Sequence, residues 1–189
     1  MKLINLRKKL GEIFFRDVLE RRIQAICTFI EPKAKILDLG TGQGLLARKL
    51  KDRGFEITTA DVVNKSYYPD IQPIIYDGEH LPFPNKSFDA CLLIAVLHHA
   101  KNEKAVLREA ARVAKKLVVL EDTYKSRLQK YYVKYMDSII NKEFFGHPHH
   151  NKTDAQWREL FEEYGLKLMN VIFTRTWGWI DNPIYFLTS

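Results

Sequence analysis

Ile36 to Gly44 reads ILDLGTGQG, and the elements on either side of it decide the fold. Lys35 to Leu39 (KILDL) is a short apolar run suited to a buried strand; glycines follow, then a helical stretch, Leu45 to Arg53, that Gly54 ends. Strand, glycine turn and helix open an α/β sheet. Ligands on such sheets bind outside the carboxyl ends of the strands, which is where Asp38, Gly40, Gly42 and Gly44 lie. Glycine accepts backbone angles closed to other residues and has no Cβ to hold a ligand off the main chain. Taken alone, the loop reads equally well as a nucleotide cradle or as a structural turn, so its surroundings must decide.

Downstream, Phe55 to Ala60 (FEITTA) is rich in β-branched residues and gives a second strand ending at Asp61, and Ile71 to Tyr76 gives a short third one despite Pro73. Phe88 to Val96 (FDACLLIAV) is apolar almost throughout, as a central parallel strand covered on both faces must be, and Leu97 to Ala100 breaks the run. Glu103 to Ala114 reads as a helix and Lys116 to Leu120 as a strand. The alternation that starts at Lys35 implies right-handed crossovers and a parallel sheet.

Outside that alternation, Leu19, Ile23, Ile26 and Ile30 recur at helical spacing, so the first thirty residues form one or two amphipathic helices ending before Pro32. Leu128, Tyr131, Tyr132, Tyr135, Met136, Ile139 and Ile140 define an inserted helix. Thr153 and Gln156 form a capping box for a helix from Asp154 to Tyr164, which Gly165 closes. Leu166 to Thr174 and Ile184 to Thr188 are two last strands; their turn-rich link WGWIDNP favours an antiparallel pair.

Composition sets the limits. The 189 residues suffice to bury an α/β core without disulfides or metals, and one domain is expected. No apolar run reaches eighteen residues and MKLINLRKKLGEIFF lacks a signal-peptide pattern, so a cytoplasmic protein with no membrane span is expected. Cys27 and Cys91 sit in apolar stretches and read as buried free thiols. The net charge of +7 is uneven: residues 1–35 hold nine basic and four acidic side chains, residues 101–134 ten and four. Such clustering attracts anions, nucleic acid included, or is simply solvated helix surface; neither segment interleaves its bases with aromatics on a strand.

Spacing narrows the ligand. A dinucleotide fingerprint needs G-x-G-x-x-G, and GTGQGL has Leu45 where the third glycine belongs, which disfavours a pyrophosphate. Asp38 also puts negative charge near the helix amino terminus, where a ligand bearing an ammonium group is better suited than a phosphate. Asp61, seventeen residues after Gly44, is placed to accept hydrogen bonds from two ribose hydroxyls. That points to an adenosine-containing ligand without choosing between methyl and hydride transfer; a helix cap is the plainer use of Asp61.

Four segments together resemble a family: ILDLGTGQG, Asp61 after its strand, YDGEHLPFPNKSFD (Tyr76 to Asp89) and LLIAVLHHAKNEKAVLREAARV (Leu92 to Val113). They are similar to class I S-adenosylmethionine-dependent methyltransferases, in particular to the type 11 group that methylates ubiquinone and menaquinone precursors. The resemblance implies a Rossmann-like, doubly wound α/β fold: a mostly parallel seven-stranded sheet of order 3-2-1-4-5-7-6 whose last strand is antiparallel. It implies S-adenosylmethionine as cofactor, S-adenosylhomocysteine as product, Asp61 on the ribose, Asp77 on the adenine amino group and a main-chain N–H of Gly78 or Glu79 on the ring. Gly40 and Gly42 would line the methionine part, with the Ala95 carbonyl near its amino group, and Thr41 and Val62 join the cofactor-binding set. The expected domain, 1–189, divides into a helical segment (1–34), a cofactor-binding half (35–121), a helical insertion (122–152) and a final helix and hairpin (153–189). One departure stands out: the family often has Pro-Gly-Gly before the fifth strand, whereas RVAKKLVVL leaves only Lys115 and Lys116 there.

A sulfonium methyl is already activated, so transfer is a direct displacement that requires alignment in a dry pocket more than a catalytic group. A base matters when the acceptor must lose a proton, and His98 and His99, following the fourth strand, are candidates of which one at most is expected to face the pocket. Tyr124, His147, His149 and His150 are candidate acceptor contacts, with the insertion tyrosines, Trp177 and Trp179 as further flat apolar surface. GHPHHNKT has no metal-ligand spacing, and no metal is expected. A small-molecule acceptor leads. The alternatives are a partner-activated or non-catalytic cofactor-binding module, RNA methylation, against which AVLHH stands where base-nitrogen methylases carry N-P-P-Y, and a nicotinamide oxidoreductase, disfavoured by the missing glycine.

Overall fold

The computed structural model describes residues 16–141, 150–176 and 179–189. Its elements in chain order are helix α1 (Arg16–Phe29), strand β1 (Lys35–Leu39), α2 (Leu45–Lys51), β2 (Glu56–Asp61), β3 (Ile74–Ile75), β4 (Phe88–Ile94), a 3-10 turn (Leu97–His99), α3 (Glu103–Val113), β5 (Ala114–Leu120), α4 (Arg127–Asn141), α5 (Asp154–Glu163), β6 (Lys167–Thr176) and β7 (Ile180–Thr188). The strands form one sheet in the order β3-β2-β1-β4-β5-β7-β6. Strands β1 to β5 pair in parallel, and β7 runs antiparallel to both β5 and β6. This is the Rossmann-like, mostly parallel α/β sheet that the sequence implied.

Because side chains alternate along a strand, each central strand feeds two cores. Leu37, Leu93, Leu117 and Val119 pack on one face with Leu107 of α3 and Trp157 and Phe161 of α5. Ile36, Leu92, Val118 and Leu120 pack on the other with Ile23 and Ile26 of α1. Residues 1–15, the start of the expected amino-terminal helices, lie outside the described residues, as do His147, His149 and Trp177. Among the described residues no helix is long and apolar enough to cross a membrane.

Three differences from the sequence reading exceed a residue or two at an element's end. The third strand shrinks to Ile74–Ile75: it is an edge strand, Pro73 has no N–H to donate, and Ile71 is instead buried beside Ala47 of α2. Helix α3 passes into β5 with no connecting residue, and the carbonyls at that abrupt end are satisfied from afar: Lys86 Nζ donates to Ala111 O and Ala114 O at 3.0 Å each, and Ser189 Oγ donates to Ala114 O at 3.0 Å. Strand β7 begins at Ile180, so most of WGWIDNP is strand. Pro183 is accommodated because pairing with β5 reaches only to Ile184, and the proline faces Phe173 of β6.

Candidate active site at the carboxyl edge of the sheet

Two acids organise the turn that leaves β1. Asp38 is buried, its Oδ2 accepts the Thr41 hydroxyl at 2.6 Å, and burial pushes its carboxyl up to about 6 against the opposing pull of that hydrogen bond, with Asp61 adding like charge. Asp61 closes β2, and its Oδ2 accepts the Gly42 N–H at 2.9 Å while Oδ1 accepts those of Val62 (2.7 Å) and Val63 (3.3 Å). The carboxylate thus ties the end of β2 to the glycine turn and fixes the shape of both.

The glycines serve different ends. At Gly40 a Cβ would stand 2.6 Å from Val96 Cγ2, so packing against the turn after β4 requires a glycine there. At Gly42, with φ +54°, nothing lies within 4 Å of the same point, so the turn faces open space there.

Beyond Asp61 the next wall is apolar and exposed. Val62 and Val63 are 56% and 44% exposed, and a Cβ at Gly78 would touch Val62 Cγ1 at 3.4 Å. Asp77 shapes this loop: its Oδ1 accepts the N–H groups of Glu79 and His80, both at 2.7 Å, and its Oδ2 lies 2.9 Å from His80 Nδ1. The His80 bond, then those from the backbone, hold the Asp77 carboxyl down at about 2. The following segment is clamped to α3, where Glu109 accepts the Leu81 N–H at 2.8 Å and both Arg112 Nε and Nη2 at 2.7 Å; Arg112 in turn donates to the carbonyls of Leu81 and Phe83. Arg112 draws the Glu109 carboxyl below its ordinary value.

The turn after β4 has an organiser that the sequence reading missed. Glu121, fully buried just past β5, accepts the N–H groups of Val96 (3.1 Å) and Leu97 (2.7 Å) on Oε1 and pairs with His98 Nδ1 through Oε2. It therefore holds the turn that opens with Ala95, a non-glycine residue at φ +58°, a backbone angle rarely adopted by L residues outside functional turns. No local pattern could have flagged Glu121, since its partners stand 23 to 25 positions away.

The two histidines diverge. His98 is 1% exposed, in the protein interior beside Glu121, and His99, its ring 4.0 Å from that of His98, keeps partial exposure. The His98 carbonyl accepts the His150 N–H at 3.0 Å, which brings the return of the insertion against the β4 turn. Tyr124 is half-buried with Lys130 Nζ 5.3 Å from its ring centroid. Tyr131 and Tyr135 of α4 stand 73% and 62% exposed, whereas Tyr132 packs edge-on against Trp179. Among the described residues no group of three or more His, Cys, Asp or Glu is arranged to hold a metal ion.

Residues 37–120 match the family described as methyltransferase domain. Over these residues, which run from β1 to β5, the chain is similar to that family. The chain is also similar to proteins named demethylmenaquinone methyltransferase. It is 27% identical over 178 residues to the demethylmenaquinone methyltransferase of Paenarthrobacter aurescens, covering 89% of this chain and 60% of that one. It is 30% identical over 146 residues to the Thermotoga maritima enzyme of the same name, covering 68% and 63%. The chain thus spans about three-fifths of the length of these relatives. The crystal structure of an S-adenosylmethionine-dependent methyltransferase from Aquifex aeolicus shares the fold at TM-score 0.68 and 15% identity, over 98% of each chain.

Proposed function

We propose that the protein binds S-adenosylmethionine at this edge and transfers its methyl group to a small-molecule acceptor by direct displacement. The observation that carries the reading is the Asp61 carboxylate, which joins β2 to the open Gly42 turn and stands beside the exposed Val62 wall. The residues fit the cofactor. Asp61 has about four lone-pair positions, three already engaged, and so retains room for a ribose hydroxyl. Asp77 is assigned to the adenine amino group and Val62 to the ring face. The Glu79 N–H is already given to Asp77, so Gly78 is the main-chain donor we assign to the ring. Asp38 and the Ala95 carbonyl suit a cationic ammonium group, and Gly40, Thr41, Gly42 and Gly44 form the turn around the methionine end.

Bound S-adenosylmethionine supplies a sulfonium-activated methyl group. The chain's own task is then to align an acceptor with it and exclude water. Of the two histidines His99 retains exposure and is the one we assign to accept a proton from an acidic acceptor, with Tyr124 and His150 at the acceptor side. His98 is assigned to holding the turn. The names of the curated relatives support a small molecule as acceptor. The two cysteines are free, which agrees with a reducing compartment, and the cytoplasm is the one we propose.

Calorimetric titration with S-adenosylhomocysteine, with NADH as control, tests the reading. Binding of the first alone is expected. NADH binding, or binding of neither, contradicts it.

A further inference from the structure

Arg22 is a largely buried guanidinium whose Nε has no hydrogen-bond partner. The groups around it locate the residue. Arg22, Ala25 and Phe29 form one row along α1; at the lower end of that row Phe29 packs on Phe186 of β7 with ring centroids 4.8 Å apart, and its carbonyl accepts Lys116 Nζ of β5 at 3.0 Å. Phe29 is therefore level with the amino-terminal part of β5. Seven residues earlier on the helix, Arg22 stands roughly 10 Å higher at 1.5 Å per residue, which is about three strand residues and brings it to the carboxyl end of β5.

The same face of the sheet carries Asp38, in step with Ile36, and Asn182, in step with Ile184 and Phe186. Asn182 Nδ2 donates to Asp122, and Asp122 is the acid whose field reaches Arg22; burial nonetheless lowers the Arg22 pKa from its ordinary value, the larger of the two effects. So the sheet edge that holds the open turn also holds a desolvated cation with donor capacity to spare. A buried guanidinium in that condition is costly unless an anion completes it, and its planar fork matches a carboxylate in two parallel hydrogen bonds.

We propose that Arg22 is the anion anchor of this site, binding a carboxylate presented at the carboxyl ends of β4 and β5. Two ligands of the proposed reaction can present one: the methionine end of the cofactor, and an acceptor that itself carries a carboxylate. The inference rests on the reading of the edge as a methyltransferase site, and the test separates the two. Arg22→Met keeps the length and apolar stem of the side chain and removes the charge, and because the native cation is incompletely paired, the variant is expected to melt no lower than the native protein.

The native protein and Arg22→Met are titrated with S-adenosylhomocysteine and with 5′-methylthioadenosine, which keeps the nucleoside and the sulfur but has no carboxylate. If the cofactor supplies the anion, the substitution weakens S-adenosylhomocysteine at least tenfold and leaves methylthioadenosine within twofold. If the acceptor supplies it, both stay within twofold, and benzoate titrated into the S-adenosylhomocysteine-loaded native protein shifts the amide resonances of Asp122 and Ala95, a response absent from the loaded variant. Binding of both S-adenosylhomocysteine and methylthioadenosine within twofold, with no benzoate response, overturns the proposal. So does a variant that melts several degrees lower with unaltered binding, the mark of a structural pair with Asp122. Arg22→Lys, which keeps the charge and loses the fork, gives the same readouts at about threefold if the methionine variant does not fold. Failure of the native protein to bind S-adenosylhomocysteine would instead count against the site itself.

Discussion

Replacing Asp61 by alanine separates ribose binding from a purely structural role. Three N–H groups occupy the carboxylate, from Gly42, Val62 and Val63, and one lone-pair position remains for a hydroxyl without disturbing the turn. A second hydroxyl would have to compete with the longest of the three, the 3.3 Å bond from Val63. One charge-assisted hydrogen bond contributes about 1.5–3 kcal/mol, so its loss weakens S-adenosylhomocysteine by about 10- to 150-fold, and more if Val63 yields its place. The substitution also leaves the Gly42 and Val62 N–H groups without their acceptor, a loss of about 1 kcal/mol for each bond, which a domain of ordinary stability survives. The assay is calorimetric titration at pH 7.5 on variant protein whose cooperative melt shows it to be folded. Asp61→Asn, which retains one acceptor oxygen, is expected to fall between the two. A folded Asp61→Ala protein that binds within threefold of the native one would refute the assignment.

Three further perturbations follow from the same geometry. Glu121→Ala leaves the Val96 and Leu97 N–H groups unsatisfied in the interior and opens a cavity, so urea unfolding is expected to show a loss of about 2–5 kcal/mol, against a smaller loss for Glu121→Gln; a change below about 1 kcal/mol would mean that the turn is held by something else. For Asp38, whose folded carboxyl is raised to about 6, the folded chain binds the proton more tightly than the unfolded one, so the stabilisation is complete below about pH 4 and is lost as the pH rises through 6. Asp38→Asn should therefore flatten the fall in stability between pH 4 and 6 and gain on the order of 2–3 kcal/mol at pH 7.5; parallel denaturation curves for the two proteins across that window would contradict the account. Gly40→Ala meets Val96 at 2.6 Å as well as a positive φ and should unfold the protein several degrees earlier, whereas Gly42→Ala, which meets no atom, should cost about 1–2 kcal/mol of stability while weakening S-adenosylhomocysteine; equal melting of the two variants would sink the distinction.

What the sequence made legible was whatever is encoded locally. The capping box at Thr153 and Gln156 forms with both of its reciprocal bonds, Gly54 and Gly165 take the left-handed angles that end their helices, and alternation from Lys35 onward delivers the parallel sheet with Asp38 and Asp61 at its carboxyl edge. The features that escaped are those whose reason lies across the sheet. A lone glutamate after KLVVL carries no pattern, yet sheet order sets β5 beside β4 and so puts Glu121 under the turn of Ala95 to His98. Lys86 and Ser189 satisfy a carbonyl at the end of α3 from 25 and 78 positions away. Gly40 shows the same limit within a motif that was read: the sequence displays a glycine that must be a glycine, and only the position of Val96 shows that packing, as well as conformation, demands it. A glycine-rich loop therefore marks where a ligand edge is, while the residues that shape it come from the neighbouring strands.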